Sequence, residues 1–464
     1  MKKTAATYLW IVGAICVAAI LAAAFCLPGA RLSFLLLAAF IGGSIAVGAY
    51  SQCRFRTPAG MAIIMAGYTL VVVGIIWNIN YYTEVLGGTY FNPVLENTDH
   101  RTDWLWARHW LDGRPIVEAD NVMGIRYLSY AAAALMWLFG RDIGVPLMLN
   151  AFCYPLAITL IGAITFQISE SKKVATIGMA VASLMCYFMA EATVLLKDVP
   201  LTMCIAAVVW VVVKWSKPTN AISAKDIVLV ALALIGAGFL RANIMAMLSI
   251  GCIIYAVRNR ERRRAFCWLA IGCAAVFAVM HTFFSFPNIA VQSNIHYDNG
   301  VFVHNQQVMA YDNIIEEEYF KMPVWKRLLW LPASVVVQFL IPFPWNFARD
   351  MIFGPFMVVA HISYFWYYAG AVLIFWIFAK SRRSPKTLQN LVVWGVILTI
   401  ITAYVTNGRV SRYCLVYLPM LLPAVAITIN NCLRERKFWI WLGIFTLILV
   451  PTLIVCHHLQ MSAA

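Results

Sequence analysis

Apolar runs of about 17 to 25 residues, the length that crosses ~30 Å of hydrocarbon, recur from Tyr8 to His457 with short polar turns between them. Threaded in order, they predict about thirteen membrane crossings. These fall at 7 to 27, 33 to 50, 60 to 80, 144 to 168, 174 to 191, 198 to 214, 226 to 241, 243 to 257, 265 to 285, 352 to 379, 388 to 405, 412 to 429 and 438 to 456. No stretch between them is long enough for a separate soluble domain. The expected fold class is therefore all-α, a polytopic membrane protein in which residues 1 to 464 form one integral membrane domain.

The pattern breaks in two places, about 81 to 143 and 286 to 351. Loops of that length are usually functional or disordered, and the Trp, Tyr and Phe content of these two argues against disorder. Within the first, Tyr127 to Gly140 is apolar but too short for a comfortable crossing, and reads as a juxtamembrane or re-entrant helix. Within the second, Val324 to Trp345 mixes basic residues, tryptophans and prolines, which suits an interfacial helix followed by a break. The crossings around Gly238 to Asn243 (GFLRAN) are joined without a turn-rich loop, so Arg241 falls at the membrane edge or slightly inside it. A charge at that depth is a functional candidate by default.

Composition supports the membrane reading: 62% of residues are hydrophobic and 12% charged, against roughly 25% charged in an average soluble domain. The net charge of +15 is no nucleic-acid signature, because the cations sit in short clusters between apolar runs. These are Lys2 and Lys3; Arg54 and Arg56; Lys172 and Lys173; Lys214, Lys217 and Lys225; Arg258, Arg260 and Arg262 to Arg264; Lys380, Arg382, Arg383 and Lys386; and Arg434, Arg436 and Lys437. By the positive-inside rule they mark the cytoplasmic side, with the N-terminus inside and the C-terminus outside. Residues 1 to 27 also resemble a signal peptide; an uncleaved signal anchor is the expected form. The twelve cysteines lie almost wholly in apolar segments and read as small core residues, with no disulfide framework or metal site implied.

On the outer side, charges approach the membrane at a few points: Asp99 and Asp103 in the first loop, Lys197 and Asp198, Arg241, and Arg409 and Arg412. Topology puts them at one face, where cations can hold a phosphate by charge-assisted hydrogen bonds. A nearby carboxylate can take a proton from an attacking hydroxyl. Each has a structural alternative. Asp99 and Asp103, four apart beside Arg101 and Arg108, also read as an ion-paired helix start. Lys197 and Asp198 also read as a snorkelling pair that caps a helix, and Arg412 as a headgroup anchor. Asp112, in LDGRP, reads as a turn residue, and Glu316 to Glu318 as a solvated run. Trp104, Trp106 and Trp110 suit sugar stacking or the aromatic belt of a membrane interface. No Walker loop, HExxH, GxSxG or kinase signature is present.

The order of these residues resembles the GT-C superfamily of integral membrane glycosyltransferases, in the style of glycosyltransferase family 39: bacterial relatives of protein O-mannosyltransferases and the aminoarabinose transferase of lipid A. Asp99 precedes Ala107 by eight positions and is followed by Leu111 and Gly113, similar to the family's first-loop pattern. A short helix at Tyr127 to Gly140, the pair Lys197 and Asp198, Arg241 in a helix hairpin, and Arg412, Tyr413 and Pro419 continue the series. The resemblance covers roughly residues 60 to 430. It departs where Asp99 is followed by His100, which leaves Asp103 as an alternative base, and where two crossings precede the first large loop.

The resemblance implies transfer of a sugar from a polyprenyl-phosphate donor to a lipid, glycan or protein acceptor at the outer face of a bacterial inner membrane. Asp99, or Asp103, would deprotonate the acceptor hydroxyl in an inverting reaction. His100, Lys197, Asp198, Arg241, Arg409, Arg412 and Tyr413 would bind substrate, the cations stabilising the phosphate's developing charge. No nucleotide sugar or cofactor is required, and such a reaction can proceed without a bound metal. A transporter or flippase of lipid-linked saccharides, or a polysaccharide polymerase or ligase, is the competing expectation.

Overall fold

The computed structural model describes residues 2–25, 32–80, 99–113, 127–141, 144–280, 282, 322–340, 364–406 and 413–462. Among them are seventeen α-helices and no strand. The first loop supplies α4 (Asp99–Leu111) and α5 (Tyr127–Phe139) after α1 (Lys2–Phe25), α2 (Leu32–Ser51) and α3 (Pro58–Asn80). The body continues with α6 (Gly144–Ser169), α7 (Lys172–Ser183), α8 (Cys186–Glu191), α9 (Asp198–Trp215), α10 (Ala224–Leu240), α11 (Ile244–Arg258) and α12 (Arg263–Val279). It ends with α13 (Val324–Leu340), α14 (Tyr364–Phe375), α15 (Lys386–Thr406), α16 (Cys414–Cys432) and α17 (Arg436–Ser462).

Six of these helices are long and apolar enough to cross a membrane: α3, α6, α9, α15, α16 and α17. Several others expected to cross are shorter, such as α10 and α11, and at 1.5 Å per residue α11 is only ~22 Å long. The protein is thus a multi-pass membrane protein by helix hydropathy. Helices α6, α9 and α16 pack on one another at the centre, and α2, α3, α7, α10 and α15 surround them. The central helices are apolar all round, as a helix buried inside a membrane bundle must be: about three quarters of α9 and α16 is buried, 78% in each, against 17% of α17 at the edge.

The expected crossing 174 to 191 is not one helix. It breaks at Leu184 and Met185 into α7 and α8, and residues 192–197 then run without regular structure before α9 begins. All of 192–196 is buried. Irregular backbone at that depth survives only where protein groups satisfy it, and here Asn150 of α6 does so. Its Nδ2 lies 2.5 Å from Val194 O, 2.7 Å from Leu196 O and 3.2 Å from Glu191 O. Asn78 of α3 adds a bond from Nδ2 to Thr193 Oγ1 at 2.9 Å.

The basic turns meet at one end of the bundle, hereafter the basic end. Thr57 bonds Thr176 at 3.0 Å, Lys217 bonds Glu170 at 2.6 Å, and Ser216 bonds Thr387 at 3.2 Å. Arg262 donates to the carbonyls of Pro218 and Asn220 at 2.8 and 2.9 Å, and Lys380 bonds Glu435 at 2.7 Å. Asp226 closes a capping box with Ser223 and takes both its oxygens to Lys214, at 2.7 and 2.8 Å. Glu170 lies outside the spans, and the Lys217 ammonium holds its carboxyl below the usual range. The opposite end therefore carries the starts of α6, α9, α11 and α16 and the ends of α3, α10 and α15.

At that opposite end α13 is laid across the bundle. Near its start Arg327 sits 5.5 Å from the Tyr404 ring of α15. At its finish Gln338 donates to Thr402 Oγ1 at 2.9 Å and Phe339 stacks on Trp366 of α14 at 5.3 Å. Both ends of the helix thus meet the same end of its neighbours; the interfacial helix was expected over Val324 to Trp345, of which residues 341–345 lie outside the described ones.

Candidate functional site

The first three residues to converge come from three separate helix ends. Asp198 is the first residue of α9, Arg241 forms the apex between α10 and α11, and Tyr413 directly precedes α16. Arg241 Nη2 lies 3.5 Å from Asp198 Oδ1, and its Cζ sits 4.4 Å above the Tyr413 ring. The hairpin's shape produces this: Arg241 has an extended backbone, caps α10 through its own N–H to Ala237 O, and turns its side chain back into the bundle. Helix α9 is tied to α16 beside it by Thr202, whose hydroxyl bonds Asp198 O at 2.8 Å and Leu415 O at 3.3 Å.

The cluster's polar capacity is not used up. The Asp198 side chain is 1% exposed, yet neither oxygen has a hydrogen bond, and Arg241 Nη1 has none either. The pair is close enough to attract but not aligned to bond. Burying a carboxylate and a guanidinium this way costs several kcal/mol unless hydrogen bonds return it. An arrangement with that cost is where a ligand is expected to complete the set. A tetrahedral oxyanion offers acceptors for Arg241, and a ligand hydroxyl offers a donor for Asp198.

Of the other expected site residues, Lys197 is adjacent, half-buried and itself engaged in a contact. Asp103 is 3% exposed and accepts a bond from Ser129 Oγ of α5 at 2.9 Å, so it joins α4 to α5. Asp99 opens α4 on the same helical face as Asp103. The side chains of Asp99 and His100, and the whole of Arg409 and Arg412, lie outside the described residues. The α4–α5 pair reaches the bundle where α5 packs on α6 and touches α10.

The tryptophans divide. Trp104 is buried, with Arg108 5.7 Å over its ring, whereas Trp110 is exposed and meets Tyr130 edge-on at 5.0 Å. Asp112 pairs with Arg141 beside Gly113, whose φ of 60° ends α4 in a left-handed turn; this is the turn role the sequence suggested. None of the nine cysteines whose side chains are described forms a disulfide. Among the described residues no group of three His, Cys, Asp or Glu comes together to hold a metal ion.

Sequence reasoning missed Asn78, Asn150 and Glu191, all fully buried. The signal was present: each is a polar residue inside an apolar run, the pattern that marks a polar interior at membrane depth. No protein-family model matches the chain, and no curated protein matches it.

Proposed function

We propose that the protein is a membrane glycosyltransferase that moves a sugar from a polyprenyl-phosphate donor to an acceptor hydroxyl, with its site at the end of the bundle opposite the basic turns. The reading takes that end as the outer face of a bacterial inner membrane, with about thirteen crossings and a cytoplasmic N-terminus. The observation that carries it is the buried cluster of Asp198, Arg241 and Tyr413, with unfilled hydrogen-bonding capacity on both charges. In the mechanism Arg241, helped by Lys197, Arg409 and Arg412, holds the lipid phosphate and stabilises the charge it gains as the glycosidic bond breaks. Asp99 takes the proton of the acceptor hydroxyl as it attacks the anomeric carbon from the opposite side. Asp103, held by Ser129, keeps α4 docked on α5 and is the alternative base. The order of motifs similar to the GT-C superfamily supports the same reading.

Purified protein incubated with polyprenyl-phosphate sugars should release polyprenyl phosphate, detected by mass spectrometry, and Asp99→Asn should abolish release while the protein still inserts. Full activity of that variant would remove Asp99 as the base. A flippase of lipid-linked saccharides is the second reading, favoured by the broken helix of α7 and α8, since interrupted helices line the sites of many transporters. Movement of the lipid across a vesicle membrane with no carrier released would establish it instead.

A further inference from the structure

Helix α13 is amphipathic in the reverse sense of a soluble helix. Its outward face is Trp325, Leu328, Leu329, Trp330 and Val336, all exposed. The stripe it turns toward α15 is Arg327, Leu331, Ser334 and Gln338, spaced as one face of a helix. Gln338 is 0% exposed and spends its amide nitrogen on Thr402, but its Oε1 has no partner. Arg327 rests on Tyr404 with a buried Nε that also has none. A third orphan lies behind them: Tyr417, fully buried one turn into α16, has its ring 6.3 Å from that of Phe339 and no bond to its hydroxyl.

Each orphan states what it lacks. Gln338 Oε1 needs a donor, which an alcohol supplies. Arg327 needs an acceptor, best an anion, and α13 carries Lys326 beside it and no acidic residue. Arg327 and Gln338 are about three turns apart, ~16 Å along the axis, so a headgroup meeting both is extended, charged at one end and hydroxylated at the other. The exposed apolar face of α13 suits contact with acyl chains, which favours such a headgroup on an acyl-bearing molecule entering sideways. Tyr413, at the cap of α16, and Tyr417, four residues on, face Arg241 and α13 respectively, so the seam adjoins the first cluster.

We propose that the seam between α13 and α15 binds the headgroup of a second amphiphile, an anionic lipid bearing sugar hydroxyls, and that Arg327 takes its anion and Gln338 a hydroxyl. That this lipid is the acceptor rests on the transferase reading; that it binds does not.

The test uses the full chain in phosphatidylcholine nanodiscs and four probes: a dioleoyl lipid with a phospho-diglucosyl headgroup, dioleoyl phosphatidylglycerol, a neutral dioleoyl diglucoside, and the free phospho-diglucoside. The complete lipid should bind about tenfold more tightly than any partial probe. Arg327→Gln should erase its advantage over the neutral diglucoside and Arg327→Lys restore most of it. Gln338→Leu should erase its advantage over phosphatidylglycerol, and Gln338→Asn carries the same test if the leucine variant does not fold. Losses that are equal across all probes, no losses, or tight binding of the free headgroup would overturn the site. If the pattern holds but no carrier is ever released from polyprenyl-phosphate sugars, the site stands and the transferase reading falls. If carrier is released and the Arg327 and Gln338 variants lose lipid binding but keep the acceptor KM, the site stands and its lipid is not the acceptor.

Discussion

The buried Asp198–Arg241 pair at one end of the bundle is built differently from the ion pairs at the other. At the basic end the carboxylates are matched closely: Asp226 takes two bonds from Lys214 below 3 Å, and Lys217 and Lys380 reach Glu170 and Glu435 at 2.6 and 2.7 Å. At the other end Asp198 and Arg241 face each other at 3.5 Å with no hydrogen bond, although they are the more deeply buried pair. Stability alone would favour the reverse, because tight pairing matters most where water is absent. The difference separates turns that hold the helices together from a site held open for something else.

The largest effect should come from cutting the loose pair. Arg241→Gln is expected to lower transfer from a polyprenyl-phosphate donor by two to three orders of magnitude, roughly the contribution of one preorganised donor to a developing oxyanion. Asp198→Asn, by contrast, should lower the thermal midpoint in detergent less than a change at a tightly bonded pair does, because no hydrogen bond goes with the carboxylate and only its attraction to Arg241 is lost. A fall as large as that of Asp226→Asn would mean that the pair is structural like those at the basic end.

Next is Asn150→Ala, which strips the donor from three buried carbonyls. A loss of roughly 3 to 4 kcal/mol is expected, read as a lower melting temperature and as new proteolysis near residues 192–197. A variant as stable as the parent would show that other groups hold that segment.

Asp226→Asn at the basic end should cost about 2 kcal/mol, by leaving Lys214 without its counter-charge and weakening the cap. It should not alter donor use, and a selective loss of activity would blur the contrast between the ends. The smallest effect is at Glu170. Its carboxyl is held below the ordinary value by Lys217, so the stabilisation is present above the unfolded pKa, ~4.3, and fades as pH falls through the lower folded value. Because Glu170 is fully exposed, the difference between Glu170→Gln and the parent should be small, present at neutral pH and gone once the pH falls below the lowered carboxyl value.

Most helix positions were readable from apolar periodicity. The crossings read at 198 to 214 and 144 to 168 are α9 and α6 to within a residue, because length and hydropathy alone determine them. The sidedness of the basic turns also put Asp198 and Arg241 at one end of the bundle, but it said nothing of the ring of Tyr413 against Arg241. The break between α7 and α8 was not readable, because VASLMCYFMAEAT contains no Gly or Pro to mark it. Beside that break Tyr154 of α6 donates to Ser183 O at 3.0 Å, and Asn150 holds the irregular run that follows α8; both come from another helix, and a tertiary partner leaves little trace in local pattern. The burial of Asp103 against Ser129 was likewise invisible, since spacing gives the shared face with Asp99 but not what that face meets.

The knot around Asn150 also bears on how the chain is made. Asn78 and Asn150 both precede residues 192–197 in sequence, so as that polar segment leaves the ribosome and enters the bilayer its hydrogen-bond donors are already in place. The charged cluster obeys a different clock. Asp198 and Arg241 must wait for Tyr413, well over a hundred residues downstream, so the site is assembled only once α16 begins to emerge. A chain stopped before α16 would have its knot tied and its charges stranded, a state that membrane quality control can recognise by the unshielded pair.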